Sequence, residues 1–140
     1  MAVCRITVRT PRSLPLSLAL LLITVLAGLA VRFAPLGLPG WIVKYGASML
    51  WALVLYWIVS ALLPSWSFLR TVVLAGCVAT GVEIFKLYRT PALDDFRQTL
   101  PGILLLGRSF SVWDILAYWL AIGAGAMLDA RLRGRPSMRA

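Results

Sequence analysis

Four apolar runs divide this chain, at residues 14–31, 41–63, 68–88 and 111–128, each near the length that crosses a bilayer as a helix. In hydrocarbon every backbone N–H and C=O must find a partner within the protein, so runs of this length fold as helices rather than open strands. Pro35, Gly37, Pro39 and Gly40 punctuate the first turn, and Pro64, Ser65 and Ser67 the second, so successive runs are antiparallel neighbours. Small residues recur at helical spacing, as Ala75 and Ala79, Gly76 and Thr80, and Ala117, Ala121 and Gly125, which suits close helix packing. The expected fold is all-α: an integral membrane four-helix bundle. Residues 89–107, between the third and fourth runs, hold too short an apolar segment to cross and form an interfacial or re-entrant segment.

The first run follows a basic start, as a secretory signal does, but it is long for a signal core and adequate for a span, so it is read as an uncleaved helix. The expected organisation is a basic tail at 1–13, a single transmembrane domain at 14–129 and a basic tail at 130–140. Hydrophobic residues make up 61% of the 140 and charged ones 14%, too apolar for a soluble domain. The formal net charge of +9 would suggest nucleic acid in a soluble protein. Here, however, Arg5, Arg9, Arg12, Arg131, Arg133, Arg135 and Arg139 lie in the tails, and no basic face with interleaved aromatics lies outside the spans. Nucleic acid is therefore not an expected partner. By the positive-inside rule both tails are cytoplasmic. Lys86, Arg89, Arg97 and Arg108 then lie outside against that rule, partly neutralised by Asp94 and Asp95.

Charges of both signs collect between Glu83 and Asp114, amid strongly apolar sequence. Such charges are costly beside lipid unless they pair, line a wet cavity or hold a ligand. With the third helix running to residue 88, Glu83 sits about five residues, ~7 Å, below its end. Lys86 lies three residues on, and Arg89 or Arg97 can also reach it. Ser111 and Asp114 have the form of a capping box, which gives Asp114 a structural role; alternatively Asp114 faces Glu83 across the third and fourth helices. Lys44, Ser48 and Trp51 share one face of the second helix, which can point at the charged stretch or simply carry a snorkelling lysine. The expected ligand-binding set is Glu83, Lys86, Arg89, Arg97, Arg108 and Asp114, with Lys44 nearby.

No histidine is present, which removes the commonest general base and metal ligand. Cys4 and Cys77 form no metal-ligand spacing, and Asp94 with Asp95 more simply start a short helix than bind a metal. No metal or cofactor is expected. No nucleophile motif accompanies the acids, so a hydrolase or transferase using Glu83 and Asp114 as acid and base ranks below a non-enzymatic role.

Four segments carry a resemblance. Glu83-Ile-Phe-Lys86-Leu-Tyr88 closes the third helix, Arg97 follows, and Gly107-Arg-Ser-Phe110-Ser-Val-Trp113-Asp114 opens the fourth, with Lys44 to Trp51 matching in the second. The chain resembles a family of small bacterial inner-membrane proteins with a conserved domain of unknown function, and is more loosely similar to the VanZ-like proteins. In that pattern Lys86 stands in place of Gln and Ser48 in place of Asp. The resemblance implies the bacterial inner membrane and offers no reaction. The expected function is a non-enzymatic membrane protein with an outward-facing polar site for an anionic lipid headgroup or cell-envelope precursor. The alternative is a small oligomeric transporter or channel subunit in which Glu83 and Asp114 couple to ions or protons, with the small-residue stripes as contacts between copies or with a membrane-protein partner.

Overall fold

A computed structural model of the chain describes residues 13–133; the basic tails and Cys4 fall largely outside that range. The elements are α1 (Leu14–Phe33), α2 (Gly40–Leu62), α3 (Phe68–Phe85), α4 (Pro91–Gln98), α5 (Leu100–Leu105) and α6 (Val112–Arg133). By length and composition α1, α2, α3 and α6 can each cross a membrane, so the protein is an all-α, multi-pass membrane bundle.

Prolines and hydroxyl residues set the ends. Pro15 starts α1, where its fixed φ suits the first turn. Pro35 follows the extended Ala34 that ends α1, and Pro64 follows Leu63, whose φ of −123° leaves the helical region. Ser67, Thr90 and Thr99 cap α3, α4 and α5 by accepting the N–H of Arg70, Leu93 and Gly102. Thr99 also ends α4, so one residue turns the chain from α4 into α5. Within the spans, Thr24 and Thr71 return their hydroxyls to the carbonyls of Leu20 and Ser67, satisfying the groups where water is absent.

The core lies among α2, α3 and α6. Ala52, Tyr56 and Trp57 meet Ala75 and Ala79, and these meet Tyr118, Ala121 and Ile122. The small-residue stripes are consumed here, inside one chain. A Cβ on Gly76 would lie 2.4 Å from the Trp119 ring, and one on Gly125 would lie 2.6 Å from Leu53. These stripes, candidate contacts between copies in the transporter reading, are thus occupied by packing within the chain. Large apolar side chains such as Leu22, Leu62, Leu69 and Leu120 face outward, as lipid solvation allows.

Helix α1 packs against α2 and comes close to neither α3 nor α6. α4 and α5 cross from the end of α3 to the start of α6, so the expected non-spanning segment consists of two short helices joined at Thr99. The last span runs to Arg133, beyond the expected end near 128, because Asp129 and Arg133 pair one turn apart along it.

Candidate functional site

Glu83 is fully buried in the last turn of α3. Its Oε2 accepts from Lys86 Nζ at 2.5 Å and from the Tyr118 hydroxyl at 2.8 Å. Its Oε1 accepts the backbone N–H of Ser111 at 2.7 Å. Ser111 immediately precedes α6, so a carboxylate from α3 caps another helix, satisfying an orphan donor and meeting the positive end of its dipole. The expected capping box is thereby corrected: the N–H that Asp114 would accept is taken by Glu83. Asp114 keeps only the backbone part of that turn, its own N–H donating to the Ser111 carbonyl at 3.1 Å.

The depth expected for Glu83 is also corrected. α3 stops at Phe85, and Lys86, Leu87 and Tyr88 bond three residues back, to Glu83, Ile84 and Phe85. Arg97 meets the end of α3. It is 3% exposed, donating from Nη1 to the Tyr88 carbonyl and Asp94, and from Nη2 to the Phe85 carbonyl, each at 3.0–3.1 Å. One planar guanidinium thus takes the Tyr88 carbonyl, shares the Phe85 carbonyl with the Tyr88 N–H, and holds an acid from α4. Arg97 does not reach Glu83, contrary to the sequence expectation. Arg89 is exposed, 3.9 Å from the same Asp94, and is likewise apart from Glu83.

Asp114 is 3% exposed, and its Oδ1 has no hydrogen-bond partner. It faces the Ser48 hydroxyl and lies within electrostatic reach of Glu83, Lys44 and Lys86. Ser48 also meets the Tyr118 hydroxyl, and Trp51 stacks obliquely near Tyr118 with ring centres 6.0 Å apart. The Lys44–Ser48–Trp51 face of α2 therefore lies against the Asp114 and Tyr118 side of α6. Among the described residues no three His, Cys, Asp or Glu side chains group as metal ligands.

Two cavities adjoin this network. The first, of about 270 Å³, is mainly apolar and lies between α1, α2 and α3 under α5. Val25, Gly28, Leu50, Val54 and Leu104 wall it, while Lys86 and Tyr118 reach it from the Glu83 network. The second, of about 440 Å³, carries Arg32, Lys44 and Arg108 and no acid. Arg32 and Ile103 line both, so the cation-bearing chamber and the apolar chamber are neighbours. Among the described residues none of the three cations has a carboxylate within 4.0 Å. Gly107 admits the loop above: its φ of +69° is left-handed, and a Cβ there would stand 3.1 Å from Lys86 Nζ.

Of the residues expected to form the site, Glu83, Lys86 and Asp114 come together with Lys44 nearby, Arg108 borders the cationic chamber, and Arg89 and Arg97 stand apart. Tyr118 and Arg32 were not expected. A tyrosine one turn after Asp114 was a usable signal for the first; only packing brings Arg32 beside Arg108. A separate polar cluster occupies the far end of the bundle. There the buried Asp129 accepts from the Tyr56 hydroxyl at 2.9 Å and from Arg133 Nε, whose guanidinium stands over Phe68. An acid followed by arginine at i+4 in an apolar run was its sequence signal.

A family model described as "Protein of unknown function (DUF2809)" matches residues 37–124, from the α1–α2 turn into α6. No curated protein and no solved structure matches the chain. The match agrees with the resemblance to an uncharacterised conserved domain and lends nothing to the looser likeness to VanZ-like proteins.

Proposed function

Because the chain belongs to the family described as Protein of unknown function (DUF2809), its role must come from its own geometry, and we propose that it binds an anionic amphiphile of the membrane. The ligand is an anionic lipid headgroup or a lipid-linked cell-envelope precursor, and the role is non-enzymatic. One observation carries this: a chamber with Arg32, Lys44 and Arg108 and no acid in its wall lies beside an apolar chamber of about 270 Å³, with Arg32 and Ile103 lining both. Cations without a direct ion-pair partner at the edge of a low-dielectric wall attract negative charge, and apolar walls favour hydrocarbon. Lys44 adds weight, because a cation near the start of a helix opposes its dipole and gains from an incoming anion.

The arginines of both tails favour a bacterial inner membrane orientation with cytoplasmic termini, which turns the cationic chamber outward. The Glu83 network supports the chamber rather than contacting the anion: it holds Lys86 and Tyr118 at the cavity wall and ties α3 to α6. The transporter alternative has less support, since Glu83 is fully engaged and the small-residue stripes are used within the chain.

The test is lipid retention. Protein purified from mixed phosphatidylglycerol and phosphatidylcholine is analysed by native mass spectrometry. The Arg32→Ala/Lys44→Ala/Arg108→Ala variant should lose its excess of phosphatidylglycerol, while Arg89→Ala, on an exposed arginine outside both chambers, keeps it. Equal retention by the triple variant and the parent refutes the proposal.

A further inference from the structure

The shapes and charges of the two chambers narrow the ligand further, in an argument that rests on the anionic-amphiphile reading above. We infer that the site selects a single-chain lipid whose headgroup is a phosphate monoester, with the phosphate among Arg32, Lys44 and Arg108 and the chain in the gap between α1 and α3.

The charge count comes first. Three cations face the polar chamber; Asp114 lies within electrostatic reach of Lys44, but among the described residues no acid lies within 4.0 Å of any of the three. A phosphodiester headgroup brings a single negative charge and leaves most of that field unbalanced. A phosphomonoester carries about −1.5 to −2 at pH 7 and offers three acceptor oxygens, a closer match to two arginines and a lysine.

The chain count follows from the packing. α1 packs on α2 and on neither α3 nor α6, and the partly open apolar chamber lies between α1 and the end of α3 marked by Val82 and Lys86, the side taken to face the bilayer. α2 floors it through Leu50 and Val54, and α5 closes its end through Ile103 and Leu104. At about 270 Å³ the chamber is just below the usual range for a whole small ligand, ~300–1,000 Å³, and admits part of one chain rather than two side by side. Because the gap is lateral, the chain enters from the bilayer without leaving hydrocarbon, while the headgroup stays at the interface level where Arg32 ends α1.

The experiment titrates the full-length protein in neutral detergent with oleoyl lysophosphatidic acid, which has one chain and a phosphomonoester. The comparison ligands are oleoyl lysophosphatidylglycerol, dioleoyl phosphatidic acid, glycerol 3-phosphate and oleoyl lysophosphatidylcholine. Lysophosphatidic acid should bind about tenfold more tightly than lysophosphatidylglycerol, a difference of about 1.4 kcal/mol. It should also exceed the two-chain phosphatidic acid, and glycerol 3-phosphate should show no measurable binding.

Two variants separate head from chain. Arg108→Ala, at an exposed side chain with no carboxylate within 4.0 Å among the described residues, should reduce that tenfold preference to about twofold or less. Gly28→Leu fills the apolar chamber from a position where a Cβ meets only Leu50 at 3.7 Å, and should weaken lysophosphatidic acid about tenfold. Unchanged affinity in Gly28→Leu overturns the chain assignment, and tight glycerol 3-phosphate binding reassigns the site to free phosphate; either outcome sinks the inference. If both anionic lysolipids bind alike and Arg108→Ala weakens both, the anionic-amphiphile reading stands and the monoester selection falls. If neither exceeds lysophosphatidylcholine, both fall.

Discussion

Replacing Glu83 by glutamine tests the centre of the network. Glutamine keeps the shape and the carbonyl oxygen that accepts the Ser111 N–H, so the cap on α6 survives. It removes the charge opposite Lys86, which is itself 7% exposed. Breaking a buried pair by deleting one partner costs about 3–5 kcal/mol, because the remaining charge is left in low dielectric. Polar contacts between membrane helices measure less, about 0.6 kcal/mol on average and ~1.7 at most, so the Tyr118 bond adds little. The lower end of the first range, about 3 kcal/mol, is the expected cost. Lys86→Gln introduces the residue that the resembling sequences carry, and its amide can still donate to Glu83. With both replaced, the pair becomes two amides able to bond each other, so the double variant should be more stable than Glu83→Gln alone. The coupling should reach about 2 kcal/mol. Equilibrium unfolding of the four proteins in bicelles, followed by circular dichroism, completes the cycle. Additive single costs, or a Glu83→Gln cost under about 1 kcal/mol, would refute the reasoning that Glu83 and Lys86 stabilise the bundle as a buried pair.

Two further perturbations address how α3 ends and how α5 is held. Arg97→Ala strips the Tyr88 carbonyl of its side-chain donor and leaves the Phe85 carbonyl only the Tyr88 N–H, and should destabilise by about 2–3 kcal/mol. Arg97→Lys should recover little, since one ammonium cannot span both carbonyls and Asp94; bicelle unfolding checks both, and full rescue by lysine would show that charge alone suffices. Gly102→Ala places a Cβ 1.9 Å from the Phe96 carbonyl, a backbone atom that cannot swing aside. The α4–α5 corner must open at a cost of at least about 1–3 kcal/mol, and a cysteine at position 104 should react faster with a water-soluble maleimide than it does on the parent background. An unchanged labelling rate would show that α5 keeps its place over the cavity without that corner.

The bundle was legible before any coordinates because it depends on local properties. Hydrocarbon forces a long apolar run to satisfy its own backbone, and prolines at 15, 35 and 64 mark where helices start or stop whatever surrounds them. The pairing of Glu83 with Lys86 was also within reach, since three residues along a helix set neighbours by geometry alone. Arg97 was placed wrongly for the opposite reason. Its partners are backbone carbonyls of Phe85 and Tyr88, which exist as acceptors only because α3 ends there. Asp114 was given a local cap on the Ser111 N–H, which Glu83, 28 residues before Ser111, takes instead.

The sequence by itself determined the solvent, the helices and which span ends carry charge, because these follow from composition and from contacts within one or two turns. Tertiary structure alone decided that α1 stands off from α3, that Arg32 and Lys44 share a chamber with Arg108, and that the small-residue stripes are spent inside the chain. Each depends on how helices distant in sequence approach one another, and that is settled by the fit of whole faces, such as Gly76 under the Trp119 ring, rather than by any residue's own preference.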